Sequence, residues 1–212
     1  MPSSPSEWDQ KHRLAAKSVA EAPAEILQEL SPLLLAGRAL DLACGTGRNA
    51  LYLAGLGYEV TAVDWSGAAL DILEARGRDR ELPVRRVQRV QEGKRPVRPG
   101  MHLLQASLED FALPTNYFQL ILCMRYLQRS LFPQIELALC PGGVLLFETY
   151  TEAQLDFLGG PRDSRYLLHI GELRTAFPKL TVLFYRELRA GQGIASLLAR
   201  KPDHNGRNRV KF

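Results

Sequence analysis

The chain has 212 residues, 46% of them hydrophobic and 24% charged, which suits one soluble globular domain with a full core. It contains no run of about 18 uninterrupted apolar residues, so a membrane span is excluded. The opening Met-Pro-Ser-Ser-Pro-Ser-Glu-Trp lacks the basic start and apolar core of a secretory signal. The net charge of +4 is uneven: Arg76 to Arg98 holds nine basic residues against Asp79, Glu81 and Glu92, a local +6 that leaves −2 for the rest.

In chain order, residues 1–7 read as disordered. Trp8 to Leu35 has helical spacing of Ala15, Val19, Ile26, Leu27 and Leu30, divided into two helices by Pro23. Ala39–Leu42 is a short apolar strand, Cys44–Gly47 a tight turn of small residues, and Asn49–Leu56 a helix stopped by Gly57. Tyr58–Asp64 is the second strand. Ser66 caps a helix over Ala68–Ala75 that Gly77 ends. His102–Ala106, Phe118–Met124 and Val144–Tyr150 are the third, fourth and fifth strands. A helix over Leu127–Leu139, stopped by Pro141-Gly142-Gly143, lies between the last two. A Gly-, Pro- and Arg-rich loop at Gly159–Arg165 and a short helix at Gly171–Phe177 follow. Leu180–Leu188 and Ile194–Arg200 form a final hairpin, and residues 201–212 read as a polar, mobile tail. No repeats appear.

Strands alternating with helices predict an α/β fold: a doubly wound, mainly parallel sheet with an antiparallel C-terminal hairpin. Three cysteines (Cys44, Cys123, Cys140) and four scattered histidines (His12, His102, His169, His204) have no metal-ligand spacing, so no metal is expected. The cysteines sit in apolar segments, as small buried hydrophobes do, and point to a reducing cytoplasm.

The densest chemical signal is Ala39-Leu40-Asp41-Leu42-Ala43-Cys44-Gly45-Thr46-Gly47, followed by Asp64 at the end of the next apolar run. A strand-to-helix turn of small residues lets a ligand approach the backbone, and a carboxylate at Asp64 is suited to ribose hydroxyls. Gly45-Thr46-Gly47-Arg48-Asn49-Ala50 formally fits the dinucleotide fingerprint G-x-G-x-x-G/A with an acid roughly 20 residues on. A dinucleotide needs the helix N-terminus free for its pyrophosphate, and Asp41 brings no advantage there. The same stretch resembles motif I of class I S-adenosylmethionine (SAM)-dependent methyltransferases, in which an acid ends the first strand. Such an acid favours the ammonium and sulfonium of SAM. Ala43 departs from the Gly common in that family.

The resemblance covers about residues 8 to 200 and implies a seven-stranded sheet. It makes residues 1–200 one domain, with a helical lid at 8–35 and a basic insertion at 76–100. It implies that Asp64 holds the ribose with Trp65 beside the adenine. Asp41 and the turn of Ala43, Cys44, Gly45, Gly47 and Asn49 would hold the methionine end, with Arg13 on its carboxylate. Ser107 and Leu108 would cover the adenine, and Met124 would face the methyl group.

Arg125-Tyr126-Leu127-Gln128-Arg129-Ser130-Leu131-Phe132-Pro133, Pro141-Gly142-Gly143, Glu148-Thr149-Tyr150 and Gly160-Pro161-Arg162 are similar to a small-molecule branch related to tellurite-resistance and thiopurine methyltransferases. This assigns catalysis to Arg125 and Tyr126 and acceptor binding to Trp8, Arg129, Arg162 and Arg165. The fourth-strand segment lacks the Asn/Asp-Pro-Pro-aromatic signature of amide methylation and offers no general base, which favours a thiol or oxyanion acceptor. The Arg76–Arg98 segment keeps two alternatives open, an RNA or protein acceptor or a solvated loop; it has no interleaved aromatic for stacking on bases. A SAM-binding module without catalysis is the other alternative.

Overall fold

Apolar runs whose two faces are both covered become parallel strands, and the computed structural model, which describes residues 4–15, 22–90, 93 and 96–203, assembles them into one sheet. The strands are β1 (Arg38–Leu42), β2 (Glu59–Asp64), β3 (Val84–Val87), β4 (Gly100–Gln105), β5 (Phe118–Met124), β6 (Leu139–Tyr150), β7 (Thr181–Leu188) and β8 (Ile194–Arg200). Their order is β3-β4-β2-β1-β5-β6-β8-β7. β1 to β6 pair in parallel, while β8 runs antiparallel to both β6 and β7.

Alternation along each strand sends neighbouring side chains to opposite layers. Leu40, Leu42, Ile121, Cys123 and Phe147 enter one buried cluster, and Ala39, Val60, Ala62, Leu120 and Leu122 enter the other. The helices are α1 (Pro5–Ala15), α2 (Glu25–Leu30), α3 (Arg48–Gly55), α4 (Gly67–Asp79), α5 (Phe132–Ala138) and α6 (Glu172–Thr175). Ile26, Leu27, Leu53, Leu70 and Leu73 bring α2, α3 and α4 onto the second cluster. Ile135 and Leu173 bring α5 and α6 onto the first. The sheet is therefore doubly wound.

Several elements differ from the sequence expectation. The sheet has eight strands, because the basic segment contains β3, which pairs with β4 at the sheet edge through Val84↔Met101 to Val87↔Leu104. That segment is also pinned: Arg86 pairs with Asp71 and Glu74, Arg78 with Glu74, and Arg85 reaches the His102 ring. Gly77 does not end its helix. α4 runs to Asp79, and a Cβ at Gly77 would come within 2.5 Å of Val84 and 2.6 Å of Met101, so the glycine allows β3 and β4 to pack there.

The helix expected over Leu127–Leu139 shrinks to α5 behind a 3-10 turn at Arg129–Leu131, and Pro141-Gly142-Gly143 lies inside β6 at a register shift. α1 starts at Pro5, so residues 4–7 belong to a helix and its approach. α2 packs in the body, so among the described residues of the expected 8–35 lid only those of α1 lie at the site described below. Lys201 is anchored, its Nζ donating to Asn116 Oδ1 (2.8 Å) and the Leu139 carbonyl (2.7 Å). Val19, residues 1–3 and residues 204–212 lie outside the described residues. None of the described helices is long and apolar enough to cross a membrane.

Candidate functional site

β1, β2, β4, β5 and β6 finish at one edge of the sheet, and the chain changes direction between β1 and β5, where open α/β sheets form their ligand crevice. Directly after β1, Ala43, Gly45 and Gly47 take φ of +53°, +54° and +80°. The turn is closed by Gly47 N–H donating to the Cys44 carbonyl (3.0 Å), while Cys44 N–H donates to Val63 of β2 (3.0 Å). At Gly47 a Cβ would fall 2.1 Å from Leu73 Cδ1, so any other residue there forces the Leu73 side chain to shift and strains a backbone at φ +80°. Ala43 adopts the left-handed region with a Cβ, at a cost of roughly 1–2 kcal/mol.

Gly47 provides no side-chain cap for α3. Asp41 supplies one from β1, its carboxyl group accepting from Ala50 N–H. Asp41 is 1% exposed and its Oδ2 has no hydrogen-bond partner. Burial foremost, and then the nearby Asp64 charge, push its pKa from the ordinary 3.8 up to about 7, against a smaller opposing pull from Arg48. Asp64, at the tip of β2, accepts from Gly45 N–H (2.7 Å, Oδ2) and Ser66 N–H (2.9 Å, Oδ1). Burial and the two neighbouring carboxylates also push the Cys44 thiol far up.

A cavity of about 530 Å³ opens over this turn, a size usual for small-molecule sites. Of the residues expected from the sequence, Ala43, Gly45, Asp64, Trp65, Ser107 and Leu108 line it, and so do Met124, Arg125, Tyr126 and Trp8. Gln105 steadies Trp65 by donating to its carbonyl (3.2 Å), and Ser107 Oγ accepts from Glu109 N–H (3.2 Å).

Arg125 carries φ +60°, and its N–H donates to the Glu148 carbonyl (2.7 Å). Its guanidinium lies 3.3 Å from Glu148 Oε1 and 4.8 Å over the Tyr150 ring. Glu148 is itself held by the Ser196 hydroxyl (2.7 Å). The Tyr126 hydroxyl donates to Gln128 Oε1, and burial first, then neighbouring acidic groups, push its pKa far above the usual tyrosine range.

The other expected residues do not line the cavity. Asp41, Cys44 and Gly47 lie beneath or within the turn. Asn49 is turned into the body, where its Oδ1 accepts from Ala24 N–H (2.9 Å) ahead of α2. Arg13 gives way to its neighbours Lys11 and His12, which face the cavity. Arg129 forms a two-pronged pair with Glu172 (2.6 and 2.8 Å) and binds the Leu167 carbonyl (2.9 Å). Arg162 binds the Leu155 and Phe157 carbonyls, and Arg165 binds Asp163. These three arginines build the loop around the site and do not line it.

A family model described as a methyltransferase domain matches residues 40–147, just over half of the chain, from within β1 to within β6. The chain belongs to the methyltransferase-domain family. Among solved structures it is similar to TehB from Haemophilus influenzae (TM-score 0.67, 20% identity, covering 88% of this chain and 65% of that one). It is also similar to a SAM-dependent methyltransferase from Mesorhizobium loti (TM-score 0.62, 19% identity, covering 86% and 100%). A third similar structure is described by the conversion of a disulfide bond into a thioacetal group during echinomycin biosynthesis (TM-score 0.59, 18% identity, covering 86% and 83%). Hemagglutinin 1 of Eikenella corrodens is 44% identical over 62 residues, which are 29% of this chain and 19% of that protein. The chain thus spans less than two thirds of TehB and about a fifth of the hemagglutinin.

Lys11, His12, Thr149, Tyr150, Pro161 and Tyr166 also line the cavity, and sequence reasoning did not assign them a site. For Lys11 and His12 a signal was present: Trp8, Lys11 and His12 stand at i, i+3 and i+4, one face of a helix. Trp8 stacks on His12 (centroids 5.6 Å apart), and Lys11 Nζ sits 4.2 Å over the Trp8 ring. Burial lowers the His12 pKa, with Asp64 pulling the other way. Thr149 and Tyr150 end β6 beside Met124↔Glu148, which only the strand pairing reveals.

Proposed function

We propose that this protein transfers the methyl group of SAM to a small-molecule acceptor whose nucleophile is a thiol or an oxyanion. The carrying observation is Arg125, a cation fixed on the cavity wall by Glu148 and Tyr150 beside side chains that are not poised to take a proton. Tyr126 is committed to Gln128 and held protonated. His12 lies against the glycine turn, its Cε1 3.5 Å from where a Gly45 Cβ would be. Glu109 is exposed at the rim. An acceptor that ionises without help suits such a wall, and a guanidinium fork suits an anion.

The residues fit the cofactor. The partnerless Asp41 Oδ2 suits an ammonium group. Asp64 uses one lone pair on each oxygen within the protein and keeps others for ribose hydroxyls. Ala43 and Gly45 expose backbone, Trp65 and Leu108 offer flat and apolar surface to the adenine, and Met124 borders the reacting end. When bound, SAM supplies an electrophilic methyl on sulfur. The chain's part is to hold acceptor and cofactor in line and keep water out, an effect worth up to about 7–11 kcal/mol. Arg125 would orient the anion, and the tyrosines would enclose it.

The thioacetal-forming neighbour, whose described chemistry is at sulfur, lends support to a thiol. The basic segment lends little to a nucleic-acid acceptor, because Arg78, Arg85 and Arg86 are engaged with Glu74, Asp71 and His102. The test is incubation with methyl-labelled SAM and a panel of thiols, oxyanions, phenols and RNA. Label is expected in a thiol or oxyanion; label appearing only in RNA or protein overturns the reading.

A further inference from the structure

α1 has little intrinsic reason to be where it is. The described part of α1 has 11 residues, a length at which an isolated helix is marginal in water. Among its described residues it offers little apolar surface: Leu14 is 76% exposed, and Trp8 and His12 are half-buried. Segments held by so few buried contacts open locally at low cost. Yet Trp8, Lys11 and His12 of this helix form a wall of the cavity, against Gly45 and Asp64.

A specific polar contact joins α1 to the body. Asp9, next to the cavity-facing row, receives the Ser66 hydroxyl (2.6 Å) and the Ala68 N–H (3.1 Å) on a single oxygen, Oδ1. These groups cap the start of α4, where Ser66 Oγ also accepts from Ala69 N–H (3.1 Å). A carboxylate is favoured there by the helix dipole. The Ser66 N–H in turn donates to Asp64, and Asp64 accepts from Gly45. One hydrogen-bonded path therefore runs from the helix over the cavity, through Ser66, to the carboxylate and the turn beneath it.

We propose that Asp9 is a positioning residue that latches α1 over the cofactor site, so that release of the cofactor or its product requires this contact to break. The proposal rests on the cofactor lying against Asp64 and Gly45. Because Ser66 binds both Asp9 and Asp64, the latch and a ligand on Asp64 stabilise the same arrangement of residues 64–68, and each slows the loss of the other. Asp9 touches neither ligand nor reacting atoms; it acts through Trp8 and His12 on one side and Asp64 on the other.

The chain has two tryptophans, Trp8 and Trp65, so Trp65→Phe leaves Trp8 as the single reporter on α1. In that background, Asp9→Ala, Asp9→Asn and Asp9→Glu are compared with the unaltered Asp9 protein. Dissociation of S-adenosylhomocysteine is followed by stopped-flow fluorescence, and acrylamide quenching of Trp8 is measured without ligand. Asp9→Ala is expected to speed dissociation about tenfold or more, the scale of a lost charge-assisted hydrogen bond, and to make Trp8 more quenchable while thermal unfolding of the body stays put. Asp9→Asn should resemble Asp9→Ala more than wild type, and Asp9→Glu, which restores the charge, should recover part of the retention. Unchanged dissociation together with unchanged quenching overturns the latch. If S-adenosylhomocysteine fails to bind even the protein with both tryptophans intact, measured by calorimetry, the cofactor placement has failed, and Trp8 quenching alone then decides whether Asp9 holds α1.

Discussion

Replacing Asp41 with Asn should make the ligand-free protein more stable at pH 8 and a poorer binder of its cofactor. Asp41 is 1% exposed, one of its oxygens has no partner, and Asp64 faces it across the turn. Its proton is therefore bound more tightly in the fold than in the unfolded chain, with a pKa raised from 3.8 to about 7. For an acid shifted upward, the stabilising contribution is complete below about pH 4 and is lost as pH rises through 7. At 1.36 kcal/mol per pKa unit the loss comes to about 4 kcal/mol.

Asn carries no charge to desolvate, but its amide leaves a polar group without a partner, which costs roughly 1–3 kcal/mol. The variant is therefore expected to gain about 1–3 kcal/mol at pH 8 and to lose a similar amount at pH 4 to 5. Urea unfolding of both proteins across pH 5 to 8 measures this as a difference in pH slope. Calorimetry with SAM should show weakening by about 1.5–3 kcal/mol in the variant, the scale of a hydrogen bond to a charged group. In wild type near pH 6, binding should release up to one proton as the cofactor's ammonium ionises Asp41, and the variant should release none from this site. A variant with the same pH slope as wild type, less stable at pH 8 and binding SAM equally well, would refute the reasoning. Asp41 would then be ionised and already satisfied.

Arg125→Met should lower kcat/KM for an identified anionic acceptor by roughly 1.5–3 kcal/mol in transition-state terms, with SAM affinity within about twofold by calorimetry. Tyr126→Phe should change turnover little, since its hydroxyl is spent on Gln128; a large loss in steady-state assays would reveal a role in proton transfer. Ala43→Gly removes a Cβ from a residue at φ +53° and should raise stability by up to about 1 kcal/mol in urea titration, the left-handed penalty less the glycine entropy cost. Deleting residues 80–98 behind a Gly-Ser bridge removes β3 and uncovers Gly77 and Met101. It should cost about 2–4 kcal/mol, the worth of one or two buried aliphatic side chains; a protein of unchanged melting temperature would show that β3 contributes nothing.

The local signals of this chain were legible without coordinates wherever they depended on near neighbours. Ala39 to Gly47 reads as strand, turn and helix start because steric rules for small residues act over a few positions, and Asp64 stands out because it ends an apolar run. Ser66 as a cap followed from the same local logic, and its Oγ does accept from Ala69 N–H. The doubly wound order followed from alternation of elements, and ten expected site residues line one cavity because they sit at the ends of parallel strands.

What needed the tertiary structure were properties of pairs distant in sequence. Arg129, Arg162 and Arg165 looked like acceptor contacts, yet an arginine's role depends on which carboxylate or carbonyl is near, and Glu172, the Leu155 carbonyl and Asp163 claim them. Asn49 looked like part of the turn until α2 placed Ala24 N–H on it. The basic run looked like a loop because β3 is four residues long with two exposed arginines, and its strand identity comes only from pairing with β4. Asp41 and Asp64 are 23 positions apart in the chain. Their mutual repulsion, and hence the raised pKa of Asp41, exists only because β1 and β2 lie side by side in the folded sheet.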